Sequence, residues 1–249
     1  MANVPAKVKD RFMKQIGKYQ KVLQKASSND INESDTVIII IDILSEVFGF
    51  DKFTEITSEY AIKNTYCDLA VKLEDTPQYL IEVKSISIDL KETHLRQAVD
   101  YGAHEGIQWV ILTNGIVWQG YRIVLKDTVQ YEKIFDFNFL EINPRKISDI
   151  DILYLIAKEG ITKDAISEYS ERMQSLNRHV ISGLILSELG LNFLRRELRK
   201  LTPGLKVEVE EIDTIIKNEI IKRNVLEDEK YIEAQKKIKR YLNKLAKSK

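Results

Sequence analysis

The apolar positions change period several times along the chain, and each change marks an element. Val4, Val8, Phe12, Ile16, Tyr19 and Leu23 recur at helical spacing with lysines elsewhere, which predicts an amphipathic helix over residues 4–25. Ser27-Ser28-Asn29-Asp30 breaks the pattern. Asn32 then supplies an N-cap, with Glu33 and Asp35 in the first turn, where the helix dipole favours negative charge. The β-branched run 36–41 would suit a strand in isolation. Apolar positions continue, however, through Ile43, Leu44, Val47 and Phe48 to a stop at Gly49, so a buried helix is predicted.

Strands follow at residues 53–61, 66–73 and 78–85, with turns at Lys63-Asn64 and at Glu74-Asp75-Thr76-Pro77. A helix over 90–105, a strand over 108–112, a hairpin turn at Thr113-Asn114-Gly115 and strands over 116–124 and 129–137 complete a mixed α/β domain. Near Ile142-Asn143-Pro144-Arg145 the texture changes. Amphipathic helices are predicted at 148–158, 162–189, 191–201, 208–223 and 228–247. The last one collects Tyr231, Ala234, Ile238, Tyr241, Leu242 and Leu245 on one side and lysines on the other. The expected organisation is an N-terminal helix (1–30), an α/β domain (31–143) and a helical C-terminal region (144–249).

Strand alternation puts Glu82 and Lys84 on one side, between Leu80 and Ile86. If a neighbouring strand brought Asp68 beside Glu82, two carboxylates and one amine would meet at a point. Close carboxylates repel unless a proton or divalent cation compensates, and magnesium takes oxygen ligands. Such a set can hold a metal and activate water for phosphodiester hydrolysis, with the amine steadying developing charge. The same residues also fit three strand charges at a sheet edge, or a plain salt bridge. Gln97 and Tyr101, at i and i+4, share a helix face.

Composition narrows the class. The chain has 249 residues, 44% hydrophobic and 31% charged, with no apolar run near the roughly 20 residues of a membrane-spanning helix. A single cysteine, Cys67, excludes an internal disulfide framework and fits a reducing cytoplasm. Cys67 is expected to face away from Asp68, towards Leu69 and Val71, as a structural thiol. His94, His104 and His179 show no metal-ligand spacing. Trp118 and Tyr121 suit either a core or base stacking. Lys and Arg balance Asp and Glu at 38 each, yet residues 1–25 hold seven basic groups against one Asp, and residues 222–249 hold ten against four acids. Basic ends on an acidic body suit either solvated helix faces or a grip on nucleic acid phosphates.

Taken in order, Asn32-Glu33-Ser34-Asp35-Thr36, Glu59-Tyr60, Asp68, Ile81-Glu82-Val83-Lys84, Gln97, Tyr101, Leu112-Thr113-Asn114-Gly115, Trp118 and Tyr121 carry a resemblance. Over about residues 31–125 the chain resembles the N-terminal nuclease domain of type I restriction enzyme R subunits, in the PD-(D/E)xK restriction-endonuclease-like superfamily. The resemblance implies a four-stranded mixed sheet flanked by helices and magnesium-dependent cleavage of DNA, with manganese able to substitute. Asp68 and Glu82 would be the metal ligands, with the Val83 carbonyl a candidate third. Lys84 would be the third catalytic residue and Glu33 a helix carboxylate completing the site. Gln97 and Tyr101 match the Q-x-x-x-Y element beside the catalytic strands. Two departures stand out: no Pro precedes Asp68, and no phosphate-binding loop of an ATP-driven motor occurs in these residues. The expectation is a free-standing endonuclease domain acting on DNA, restriction or defence related. A homodimer and a separate partner subunit bound through the C-terminal helices are further expectations. The alternative is a catalytically inactive scaffold that keeps the nuclease-like fold.

Overall fold

The computed structural model describes residues 4–62, 65–125 and 128–247, so the expected turn at Lys63-Asn64 lies outside them. Two helices open the chain, α1 (Ala6–Ser28) and α2 (Glu33–Glu46). Asn32 caps α2 as expected, its Oδ1 accepting the Asp35 N–H at 2.9 Å. Burial of Ile40, Ile43 and Leu44 is what turns the β-branched run into a helix: tertiary contact overrides local preference.

Six strands follow in one sheet: β1 (Ile56–Ile62), β2 (Thr65–Leu73), β3 (Thr76–Val83), β4 (Trp109–Thr113), β5 (Val117–Leu125) and β6 (Val129–Asn138). Their spatial order is the order of the chain. Every neighbouring pair is antiparallel except β3 and β4, which are parallel and connected through α3 (Arg96–Glu105). The sheet is therefore mixed, and two strands wider than the resemblance implied. The β2–β3 turn is tighter than expected: Glu74 and Asp75 alone make it, both at positive φ, so Thr76 and Pro77 belong to β3. The helix expected from residue 90 splits into a 3-10 turn at Glu92–His94 and α3.

Each face of the sheet is covered. On one, Leu69, Val71, Tyr79, Ile81, Val83, Ile111 and Trp118 pack with Phe12, Ile16 and Leu23 of α1 and the apolar side of α2. On the other, Ala70, Leu80, Val110, Leu112 and Ile123 pack with Leu95, Ala98 and Val99 around α3. Gly102 of α3 has no room for a side chain, because a Cβ there would stand 2.4 Å from Ile123 Cδ1 and 2.8 Å from the Ile107 carbonyl. Trp118 and Tyr121 are both core residues, and the Trp118 indole donates to the Gly115 carbonyl at 2.8 Å.

The compositional change near Pro144 is not where the packing changes. Two compact units divide the chain, one through Ser170 and one from Glu171 onward. Residues of α4 (Ile147–Tyr154) and its sequel, among them Leu153, Tyr154 and Ile156, are buried in the cluster that holds Tyr79 and α1. The Tyr79 hydroxyl donates to the Ile156 carbonyl at 3.0 Å. Arg11 of α1 makes paired bonds to Glu159 at 2.8 and 2.7 Å in α5 (Lys158–Thr162), and also donates to the Val47 and Phe48 carbonyls. Neither the expected N-terminal helix of residues 1–30 nor residues 144–170 stand apart from the sheet.

The second unit is helical: the end of α6 (Ala165–Ser175), α7 (Arg178–Ile185), α8 (Glu188–Leu201), α9 (Val209–Ile215), α10 (Arg223–Leu226) and α11 (Glu229–Lys247). The expected helix over 162–189 breaks three times. Asp164 adopts φ 53°, Asn177 caps α7 by accepting from His179 and Val180 N–H, and Ser187 caps α8 by accepting from Gly190 N–H. Short polar side chains here offer the backbone a local alternative to a continued helix. The helix expected over 208–223 ends in a π turn at Ile216–Ile220. His179, buried, pairs with Asp228 at 2.9 Å.

Burial alone would raise the Glu159 carboxyl, but the Arg11 bonds outweigh it and hold it below its ordinary value. A depressed carboxyl contributes stability above its unfolded value that is lost as pH falls through the folded one. Arg11→Ala should therefore lower unfolding free energy at neutral pH by about 2–4 kcal/mol, since a half-buried carboxylate and two carbonyls lose their donor. That deficit should shrink in acid. Urea titrations of both chains at two pH values measure it, and equal stability at neutral pH would show the tie to be idle. A fragment of residues 1–170 should keep a cooperative urea transition, and one ending at Asn143 should lose it. Circular dichroism distinguishes the two.

Candidate active site

β2 and β3 pair from Leu73–Thr76 as far as Leu69–Ile81, and there the register stops. The next positions in that antiparallel order are Asp68 and Glu82. On the other flank of β2, the pairing with β1 skips Glu59, which stands opposite Asp68 with φ 48°. A left-handed glutamate costs about 1–2 kcal/mol. Asp68 thus sits where ladder pairing lapses on both sides, and its carboxylate takes over one of the lost bonds: Oδ2 accepts the Val83 N–H at 2.7 Å. Side-chain alternation slips at the same point. Cys67 packs with Ala70, Leu80 and Ala98 on the α3 face, whereas Leu69 and Val71 lie on the other, so its expected orientation is reversed. The Cys67 thiol donates to the Ile81 carbonyl at 3.3 Å and is pushed up to about 12, by burial first and then by the charges of Glu82 and Asp68. It is a structural, protonated group.

Lys84 follows the last residue of β3, not inside a strand as expected, and its amide donates to the Thr113 carbonyl of β4 at 2.9 Å. Its ammonium donates to Glu82 Oε1 at 2.8 Å and to the Val83 carbonyl at 2.7 Å, and pairs with Glu33 Oε2 at 3.5 Å. Glu82 is 7% exposed, while the Glu33 side chain, in the first turn of α2, is 49% exposed. Asp68, Glu82, Val83, Lys84 and Glu33 are therefore brought together. Gln97 and Tyr101 form a pair of their own on α3: the Gln97 amide donates to the Tyr101 hydroxyl and, at 3.4 Å, to the Tyr66 carbonyl at the start of β2. Among the described residues neither bonds Asp68, Glu82 or Lys84.

Burial raises the Asp68 carboxyl above its ordinary value, and the nearby Glu33 charge adds to this against the opposing Val83 N–H and Lys84. Burial likewise raises Glu82, with Asp68 and Glu33 contributing against the Lys84 bond. Burial alone would lower the Lys84 ammonium, but Glu82, then Glu33 and Asp68, outweigh it and hold it raised. The cluster is thus an acid-rich, partly dehydrated point held together by one ammonium.

Among the described residues no group of three or more His, Cys, Asp or Glu is set to hold a metal ion. The oxygen donors do suit magnesium, which is commonly held by one or two carboxylates and otherwise keeps its waters. The Asp68 and Glu82 carboxyls are raised chiefly by burial and in smaller part by neighbouring carboxylates, Glu33 for both and Asp68 for Glu82, a charge contribution that a further cation would relieve.

Two supports were invisible as such in the sequence. Asn114, expected in the hairpin turn and counted in the resemblance without a role of its own, is buried and donates to the Ile86 and Ile88 carbonyls at 3.2 and 3.0 Å, while accepting from Ile116 and Val117 N–H. It fastens the segment just after Lys84 to the β4–β5 turn. The Tyr66 carbonyl, as the Gln97 acceptor, is a backbone group that no residue pattern displays.

The geometry defines a class: a mixed α/β sheet carrying an Asp and a Glu-x-Lys at the mouth of two neighbouring strands. Residues 38–137 match the family model described as the type I restriction enzyme R protein N terminus. This segment resembles that restriction-enzyme domain, as its ordered residues implied. The match takes in Asp68, Glu82, Lys84, Gln97 and Tyr101 and begins after Glu33. No curated protein and no solved structure matches the chain. Among the described residues no helix is long and apolar enough to cross a membrane.

Because Asp68 holds a main-chain donor, its substitutions should part company. Asp68→Ala leaves the Val83 N–H without its partner and should cost about 1–3 kcal/mol in metal-free buffer. Asp68→Asn keeps an acceptor and removes a charge. A raised carboxyl penalises the folded state fully above its folded value and not at all below its unfolded one. Asp68→Asn should therefore melt above the parent at neutral pH, with the difference closing as pH falls into the ordinary carboxylate range. Melting curves across pH settle this; a gap that widened in acid would contradict the raised value.

Proposed function

We propose that this chain is a magnesium-dependent endodeoxyribonuclease, restriction related, that hydrolyses DNA phosphodiester bonds. The observation that carries the reading is the convergence of Asp68, Glu82 and Lys84 where β2 and β3 separate, inside a segment matched to the restriction-enzyme domain. Asp68, Glu82 and the Val83 carbonyl would hold the metal. When bound, magnesium supplies Lewis-acid polarisation of a phosphoryl oxygen and eases ionisation of water. The chain's own part is to fix charge. Asp68, anchored by the Val83 N–H, cannot swing away; Glu82 is held by its burial and by Lys84; and the Lys84 ammonium offers protons and positive charge to oxygen that becomes negative. Gln97 and Tyr101 would brace the start of β2 through the Tyr66 carbonyl.

The basic helix faces suit the DNA backbone. On α1 the apolar side is buried and Lys7, Lys9, Lys14, Lys21 and Lys25 are exposed; on α11 Lys236, Lys237 and Lys239 are exposed beside buried Ala234 and Ile238.

With plasmid or oligonucleotide DNA and Mg²⁺, Glu82→Gln and Lys84→Ala should each reduce cleavage by at least about 100-fold while retaining the parent's circular dichroism. Parent-like cleavage by Glu82→Gln would end the assignment, and folded, metal-loaded parent that leaves all DNA intact would favour the scaffold alternative. Replacing Lys236, Lys237 and Lys239 by Gln should flatten the salt dependence of duplex binding by about 0.9 in log–log slope for each phosphate no longer neutralised. An unchanged slope would make α11 a solvated helix or a protein-binding face.

A further inference from the structure

The Lys84 ammonium already occupies a cation's place. Three oxygens from three residues surround it: Glu82 Oε1 at 2.8 Å, the Val83 carbonyl at 2.7 Å and Glu33 Oε2 at 3.5 Å. An ammonium has three protons to give; here two are taken by Glu82 and the Val83 carbonyl, and Glu33 adds an ion pair at longer range. Two of these, Glu82 and the Val83 carbonyl, are the donors that the proposed metal would need. Each oxygen has a further lone pair, but two cations held against the same oxygens repel one another at close range, so the ammonium and a divalent ion compete for this position. The third oxygen differs. Glu33 belongs to α2, its side chain is about half exposed, and its contact with Lys84 is the longest of the three.

We propose that Lys84 is the resident counter-ion of this site, that a divalent cation enters only by displacing its ammonium from Glu82 and Val83, and that Glu33 is the carboxylate that receives the displaced ammonium. The inference rests on the metal-dependent reading above. It gives Glu33 the part of a docking point for Lys84 rather than of a metal ligand. It also makes metal occupancy and the freeing of Lys84 one event, since the ammonium leaves its resting bonds only when a second cation has taken them. Without metal the ammonium holds the Glu82 and Val83 oxygens in an acid-rich cluster; with metal the ammonium is released towards Glu33 of α2, whose side chain is about half exposed. No covalent bond is made or broken in this exchange, and one cation replaces another at shared oxygens.

The test is calorimetric titration of Mn²⁺ into the full chain and into Lys84→Met, Glu33→Gln and the double variant, each shown by circular dichroism to be folded. Lys84→Met removes the competitor and keeps the apolar stem, so Mn²⁺ affinity should rise by about ten-fold. Glu33→Gln should weaken Mn²⁺ binding a few-fold where Lys84 is present, because the displaced ammonium loses its acceptor. Its effect should be distinctly smaller in the Lys84→Met background, and the thermodynamic cycle isolates that coupling. Equal or weaker Mn²⁺ binding by Lys84→Met would overturn the displacement while leaving the metal-dependent reading intact. Equal effects of Glu33→Gln in both backgrounds would overturn its receiving role and make it a ligand or a distant charge. If neither the parent nor Lys84→Met takes up Mn²⁺, the metal-dependent reading itself falls, and the exchange with it.

Discussion

Two carboxylates on neighbouring strands are held partly out of water with one ammonium between them and the α2 carboxylate, and much of the sheet's local irregularity serves that arrangement. Like charges at close range do not stay together unless something prevents their separation. Here the restraint is mechanical as well as electrostatic. Asp68 is fastened to the Val83 N–H, and Lys84 is fastened to β4 through its own amide. The left-handed Glu59, the lapse of pairing beyond Leu69–Ile81 and the slip in alternation at Cys67 all fall within a few residues of Asp68 or its partner strand. A regular ladder would have consumed the Val83 N–H in backbone pairing. Interrupting it lets a side chain take that donor, which is how a sheet can present a carboxylate at a defined spot.

Local chemistry is visible in the sequence, and long-range packing is not. The strands carry runs of apolar residues bounded by turn chemistry, so β2 to β6 could be located from pattern, as could α2 from its Asn32 cap. Asp68, Glu82 and Lys84 were legible because charge inside such runs is conspicuous. Nothing near Pro144, by contrast, says that Leu153, Tyr154 and Ile156 are buried against the sheet, since an amphipathic helix reads the same whichever core its apolar side joins. The three breaks in the helix expected over 162–189 were hidden for a different reason: Asn177 and Ser187 are tolerable within a helix, and only the bonds they make show that they cap instead. The reversed side of Cys67 was lost because alternation assumes a regular strand, and the strand is irregular at the site.

The family match and the compact unit have different extents. The matched segment, residues 38–137, contains neither α1 nor α4. Yet the face of the sheet that holds Tyr79 and Trp118 is covered partly by those helices. The matched domain is therefore completed in this chain by its own flanks.

Those flanks bear on how the chain acquires its structure. The Tyr79 hydroxyl finds its acceptor 77 residues downstream, and Arg11 finds Glu159 after 148. Hairpins such as β2–β3 and β4–β5 can form from neighbours alone, but the first helix has no finished core to join until residues beyond 150 exist. Contacts between distant positions are reached only after the loop between them has been closed, which slows folding. During synthesis, sheet and α1 must wait with apolar surface uncovered until the α4–α5 stretch emerges, and the nascent chain in that interval is the form of this protein most exposed to aggregation and to chaperones.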